Sequence, residues 1–286
     1  MRRRRNQIVT APDWQARLHA RQLASVEAVY ALQTGTVLKP GVTTEVRRLE
    51  WLDHGLRREL YVKKYWYPTV GDRWSGFHRG TFWGVSKVRR EFENLARLRA
   101  WGLDAPAPVA YGEERQAGWL HRSFLISEGI HDPVSLDLFI RDWLPTLPSP
   151  EHRHLRRELI ERLADYTRRM HEHRFVHHDF FWRNILLSGH SLAHFFLIDS
   201  HKGRCWKSWM EQRCRAKDLA TLDAPAPSFF RRTERLRFFL HYRGQRRLTG
   251  DDKRLLRAIL RVANPMRSAQ LQRVQRAQLT STTVKG

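Results

Sequence analysis

The segment FVHHDFFWRNILL, residues 175–187, sets His177, Asp179 and Asn184 among aromatic and aliphatic neighbours. A second acid, Asp199, closes the run HFFLID fifteen residues after the amide. Polar groups in so apolar a stretch are costly unless they are used, because each unpaired one loses its water. These oxygens suit one kind of chemistry. The Asp179 carboxylate can orient and deprotonate an attacking hydroxyl. The Asn184 amide and the Asp199 carboxylate offer the oxygen ligands that Mg2+ prefers beside phosphate groups. His177 would support the loop by packing and hydrogen bonding.

The spacing H-x-D-x-x-x-x-N, with an acid at the end of the next strand, is that of the catalytic loop and metal-binding acid of protein-kinase-like enzymes. Two upstream segments agree with it. LYVKKYW supplies a strand lysine and RREFENL a helix glutamate, the pair that grips the nucleotide phosphates in such a fold. Strand side chains alternate, so Lys63 shares a face with Tyr61 and Lys64 is expected in solvent. Register with the apolar side of the helix favours Glu91 over Glu93.

The elements that must hold these groups follow from periodicity. Residues 12–32 have helical spacing, and 44–52 and 57–66 read as strands joined by the turn DHG. SKVRREFENLARLRAWG is a helix stopped by Gly102. LDAPAPVAYGEE, 103–114, reads as an extended connector, and GWLHRSFLISEGI as a hairpin arm ending near Ser127–Gly129. EHRHLRRELIERLADYTRRMHEH is a long helix with Leu155, Leu159, Leu163, Tyr166 and Met170 on one face. NILL and HFFLID pair across the turn SGH. Residues 210–262 are helical around Pro225 and Pro227, and the tail after Pro265 is polar. The order of elements makes the fold class α+β, with a small strand-rich N-lobe and a mostly helical C-lobe. The match of the H-x-D-x-x-x-x-N loop and its following acid to kinases implies a bilobal protein-kinase-like fold. The expected divisions are a basic arm and helix (1–33), the N-lobe (34–128), the C-lobe (129–265) and the tail (266–286).

Composition bounds the partners. The chain has 286 residues, a net charge of +23 and a pI near 11.1, and only nine of its 52 basic residues are Lys. Arg's planar fork suits phosphate and carboxylate, so nucleic acid, anionic lipid and phosphorylated saccharide all qualify as partners. Two cysteines argue against a disulfide scaffold and fit a reducing compartment. MRRRRNQIVTAPDW has no apolar signal region, and no stretch reaches the roughly 18–20 apolar residues of a membrane span. The expectation is a cytoplasmic protein resting on the anionic inner face of the cytoplasmic membrane.

KVRREFENLARLRAWGLDAPAPVAYGEE, FVHHDFFWRNILL, FFLIDSHKGR, RAKDLATL and ERLRFFLHYRG together resemble the bacterial lipopolysaccharide core sugar kinases, the Kdo/heptose kinase family, over roughly residues 35–262. The resemblance implies an ATP- and Mg2+-dependent kinase that phosphorylates a sugar hydroxyl, of heptose or Kdo, on lipid-linked core oligosaccharide. It also implies that Asp218 in KDLA braces the catalytic loop from below. The chain departs from kinases in several places. No G-x-G-x-x-G occurs; Gly41 in KPGVTTEV stands where the glycine loop belongs, with the hydroxyls of Thr43 and Thr44 beside it to cover the phosphates. His178 replaces the Arg of H-R-D, Ser200 and His201 follow the metal acid, and no A-P-E segment follows, which sets protein substrates back. Lys202 and Arg204, just past the metal acid, could meet an acceptor that already carries phosphate or carboxylate. The aromatic loop Tyr65–Trp83 could face a lipid interface or pack inside.

Two other readings stand beside this one. The acceptor could be a protein Ser/Thr or a small amino sugar. Alternatively, the chain could be a catalytically dead kinase-like binder of anionic polymers, a reading that the full set Lys63, Asp179, Asn184 and Asp199 opposes. No specific nucleic-acid partner is expected.

Overall fold

The computed structural model describes residues 4–53, 55–67 and 84–283, the side chains of 4, 53, 56 and 270–283 excepted. Most of the aromatic loop, 68–83, lies outside the described residues. The chain divides into two compact units: Met1–Pro133 with Phe196–Gly203, and Val134–Phe195 with Arg204–Gly286.

The first unit is built on a six-stranded antiparallel sheet in the order β1-β5-β6-β4-β3-β2. Its strands are β1 (Arg4–Thr10), β2 (Thr36–Lys39), β3 (Thr44–Asp53), β4 (Leu56–Trp66), β5 (Pro108–Gln116) and β6 (Trp119–Glu128). β3 and β4 form the expected hairpin, with Val46 opposite Lys63 and Leu49 opposite Leu60. Alternation gives the sheet two faces. Leu49, Trp51, Leu60, Val62, Phe124 and Ile126 bury one face under α1 (Gln15–Ala20) and α2 (Val26–Ala31), which contribute Leu18, Val26 and Val29. The face bearing Lys63 belongs to α3 (Lys87–Ala100), whose Phe92 ring lies 5.2 Å from that of Tyr111 on β5.

Three expectations for this unit are corrected. Arg4–Thr10 is not a free arm but an edge strand, paired with β5 from Arg4↔Gln116 to Thr10↔Ala110. β5 would otherwise present an open edge, and a β-rich segment, QIVT, is at hand to cover it. Residues 12–32 are not one helix: Ser25 accepts a bond from the Ala28 N–H at 3.1 Å and starts α2 afresh, after a turn in which Gln22 has φ 57°. The Pro-rich connector is strand from Pro108 onward, because proline at the first strand position forfeits no ladder bond.

Lys64 is the fourth correction. It is 2% exposed rather than solvated, pairs with Glu45 at 3.2 Å and reaches the Leu32 carbonyl at 3.4 Å. Alternation placed it correctly on the face opposite Lys63, but α1 and α2 cover that face.

The second unit is mostly helical: α4 (Ser149–Glu172), α5 (Glu211–Asp223), α6 (Arg232–Arg243) and α7 (Gly250–Thr283). Ala164, Ala216, Leu219, Phe239, Tyr242, Leu255, Ile259 and Ala263 form their common core. Leu159, Leu163, Tyr166 and Met170 of α4 are buried as the spacing predicts, whereas Leu155 is only half-buried. β9 (Ile185–Ser188) and β10 (Ser191–Leu197) pair beside β7 (Pro133–Ser135), and β8 (Phe175–Val176) pairs with β11 (Arg204–Cys205).

The helical region extends beyond the expected end at 262: α7 runs through Pro265 to Thr283. An internal proline removes one helix bond at a cost of about 3 kcal/mol. Here that cost is offset by anchoring on both sides: Ala263 is fully buried, and Arg267 pairs with the Asp223 carboxylate.

Candidate active site

The candidate residues form one constellation in each unit. In the first unit, β4 carries Lys63 and the buried face of α3 carries Glu91; Lys63 Nζ donates to Glu91 Oε1 at 2.9 Å and to Asp199 Oδ1 at 2.6 Å. α3 is fixed at its start by Ser86, whose Oγ accepts from the Arg89 N–H, and ends where Gly102 turns left-handed at φ 69°. Asp199 is 43% exposed and sits in the left-handed region at φ 56°, ψ 38°, a costly backbone for a residue with a Cβ. Its turn is held from α3: Asn94 Nδ2 donates to the carbonyls of Ser200 at 2.7 Å and Gly203 at 2.9 Å.

Burial alone would push the Lys63 ammonium down. The facing Glu91 and Asp199 carboxylates more than offset it, so the group is held well above the ordinary lysine value and stays charged. Glu91 Oε2 is buried with no partner among the described residues. An ammonium held by two carboxylates, one of them partly exposed and the other with a spare oxygen, fits a site where anionic phosphates and a hard cation redistribute the contacts. Asp199, an oxygen donor on a fixed turn, suits such a cation.

Gly41 lies in the turn between β2 and β3, at the end of the hairpin that carries Lys63 on β4. A Cβ there would come within 2.7 Å of the Thr44 carbonyl, so the turn is too tight for any side chain. Thr43 is exposed, Thr44 is half-buried and opens β3, and the Thr43 carbonyl accepts from Trp66 N–H at 3.0 Å.

In the second unit, β8 leads into His177, His178 and Asp179. Asp218 on α5 is fully buried and accepts from the backbone N–H groups of His177 (2.7 Å) and His178 (2.9 Å), one on each oxygen. His178 takes φ 67°, so two backbone donors converge on one carboxylate at the cost of a strained residue. The Asp179 carbonyl accepts from Phe181 N–H (2.7 Å) and Asn184 Nδ2 (2.8 Å), which leaves Asn184 Oδ1 as an oxygen donor. Phe180 and Trp182 are the loop's anchors: both are buried, and Trp182 meets the rings of Phe229 and Phe230 at 5.7 and 6.0 Å. The aromatic residues therefore hold the turn while its polar groups bond to backbone.

His177 is fully buried beneath the loop. Arg204, expected at the acceptor, donates its Nε–H to His178 Nε2 at 3.1 Å, and Lys202 is exposed. Burial, together with the charge of Lys217, drives the His178 imidazole down to about 4, so it is neutral at ordinary pH and able to accept that bond.

Two supporting groups escaped the sequence reading. Asn94 lies three residues past Glu91, on the same helix face, and that spacing could have revealed it. His171 is buried, with Nδ1 2.8 Å from Tyr242 Oη and Nε2 3.5 Å from Asp218; only the last-turn position on the apolar side of α4 hinted at it. Among the described residues no three His, Cys, Asp or Glu side chains cluster as metal ligands, and no helix is long and apolar enough to cross a membrane.

A strand-rich unit with a Lys–Glu–Asp cluster, followed by a helical unit with a braced H-x-D-x-x-x-x-N loop, makes this a kinase of the protein-kinase-like fold. The model of the Lipopolysaccharide kinase (Kdo/WaaP) family matches residues 16–242. The chain belongs to that family. The lipopolysaccharide core heptose(I) kinase WaaP of Pseudomonas aeruginosa is 31% identical over 199 residues, covering 63% of this chain and 73% of that protein. The Escherichia coli protein of the same description is 31% identical over 138 residues, 46% of this chain and 51% of its own length. A solved structure of WaaP in complex with acyl carrier protein superposes with a TM-score of 0.60 at 25% identity, covering 94% of this chain and 98% of that one.

Proposed function

We propose that this kinase transfers the terminal phosphoryl group of ATP to a sugar hydroxyl, of heptose or Kdo, on lipid-linked lipopolysaccharide core. The observation that carries this reading is the pair of fixed constellations: Lys63 charged between Glu91 and Asp199, and the Asp179 loop locked to Asp218. Asp179 acts as the base that receives the acceptor's proton as its oxygen attacks phosphorus. Lys63, held by Glu91, contacts the nucleotide phosphates, and the Gly41 turn with Thr43 and Thr44 covers them through backbone N–H and hydroxyl groups. Asn184 and Asp199 would hold Mg2+, whose charge would offset that of the phosphates. His177 and Asp218 keep the Asp179 backbone in place, so the base is positioned before substrate arrives.

The net charge of +23 supports attachment at the anionic inner face of the cytoplasmic membrane, where a lipid-linked acceptor would be presented. The solved relative's partnership with acyl carrier protein extends to this chain in our reading. An apolar cavity of about 490 Å³ in the second unit, walled by Leu159, Leu163, Leu219, Phe239 and Ile259, suits an acyl chain. Mass spectrometry of envelope glycolipids from cells with and without the protein tests the acceptor. Loss of one phosphate from a core sugar is the expected result, and an unchanged core with phosphate lost elsewhere would point to another acceptor.

A further inference from the structure

The second unit presents one aromatic side chain that packing does not explain. Trp209 is 80% exposed, on a 3-10 turn (Ser208–Met210) that runs directly into α5. Arg213 and Lys217 follow at four-residue steps and are exposed as well, so the three share a stripe along the start of this helix. The neighbouring stripe, Met210, Cys214 and Asp218, faces inward: Cys214 and Met210 pack with Val176 and Trp206, and Asp218 holds the catalytic loop.

The stripe is tied to that loop from both ends. On one side, β11 pairs with β8 just before His177, and Trp206 N–H bonds to the Arg174 carbonyl at 2.9 Å, three residues before Trp209. Three residues span at most about 11 Å. On the other side, Lys217 immediately precedes Asp218, whose carboxylate accepts from the backbone N–H groups of His177 and His178 in the loop. Glu211 is taken by Arg215 at 2.8 Å, and among the described residues Arg213 and Lys217 have no acidic partner. An indole left in water beside two uncompensated cations, on an element bonded to the strand that leads into the catalytic loop and to the loop backbone itself, is a surface awaiting a ligand with an apolar face and negative charge.

We infer that Trp209, Arg213 and Lys217 form the acceptor subsite, in which the indole packs against the C–H face of a sugar ring and the two cations hold phosphate or carboxylate groups on that sugar or its neighbour. This rests on the saccharide-kinase reading above and adds to it the residues that choose the acceptor. The negative face of an aromatic ring attracts the weakly positive C–H groups of a pyranose, and an ammonium and a guanidinium bind fixed anions at separate points. A lipid surface would also attract Trp and Arg. The saccharide is favoured because the stripe is anchored to the catalytic loop, where an acceptor hydroxyl must arrive.

The test uses the full-length protein and deacylated core oligosaccharide, prepared with and without its phosphates. Acceptor KM, nucleotide KM and nucleotide-free binding by calorimetry are measured, together with co-sedimentation on anionic vesicles. Trp209→Ala should raise the acceptor KM and the oligosaccharide Kd roughly tenfold, the usual weight of a truncated aromatic anchor, while the nucleotide KM stays put. Trp209→Phe should recover most of the loss. Arg213→Ala with Lys217→Ala should erase the preference for the phosphorylated oligosaccharide. Unchanged acceptor KM and Kd in Trp209→Ala, or lost vesicle binding with acceptor KM intact, overturns the subsite. If the wild type neither binds nor phosphorylates any saccharide, the broader reading fails, and the subsite with it.

Discussion

The proposed roles give Asp179 and Asp199 different parts of the reaction at the scale of single side chains, and substitution should separate them. Asp199→Ala removes an oxygen donor and one of the two carboxylates on Lys63, so divalent-dependent nucleotide binding should disappear in a titration that follows nucleotide with and without Mg2+. Retention of that dependence would remove Asp199 from the metal site. Glu91→Gln keeps the shape and an acceptor oxygen but strips a charge, leaving Asp199 as the remaining carboxylate on Lys63; nucleotide KM should rise about tenfold with a smaller change in kcat. Choosing Lys63 over Lys64, and Glu91 over Glu93, needed only strand and helix periods, and these residues do lie 2.9 Å apart. The burial of Lys64 was illegible locally, because the covering helices stand more than thirty positions earlier in the chain. Arg204's contact with His178 could not be read either, since it depends on a two-residue strand pair, too short to leave a pattern.

At the scale of elements, Asp218 joins α5 to the catalytic loop. Asp218→Ala would leave two buried backbone N–H groups without an acceptor and should lower stability by about 2–4 kcal/mol, read from the urea midpoint at constant slope. Asp218→Asn should cost less, since one acceptor oxygen remains. His178 makes this region pH-sensitive. Its folded value near 4 lies below the unfolded value of about 6.5, so the unfolded chain binds the extra proton between these limits. Stability must therefore rise with pH from about 4 to about 6.5, and a partly exposed ring gives only part of the ideal slope. Replacing His178 with Gln should flatten that stretch of the urea-midpoint profile. An unaltered slope would place the titration elsewhere. Long amphipathic elements such as α3 and α4, and the β3–β4 and β9–β10 hairpins, were legible from their periods. β1 and the continuation of α7 through Pro265 were not, because an open strand edge and an anchoring carboxylate at Asp223 decided them.

For the whole molecule, the excess of Arg and Lys should dominate encounters with anionic surfaces. Binding to vesicles rich in anionic lipid should weaken steeply as salt rises from about 0.05 to about 0.5 M, where the screening length falls to a few ångströms. Salt-insensitive binding would mean that apolar insertion carries the attachment instead. The central claim is that this kinase works through one carboxylate base on a loop braced by Asp218. Its most direct test is single-turnover transfer of labelled γ-phosphate to purified core glycolipid by the wild type and Asp179→Asn, with nucleotide Kd measured on the same preparations. The account predicts transfer slower by about 10²–10⁴-fold with nucleotide affinity nearly unchanged. Full-rate transfer by the variant would contradict it.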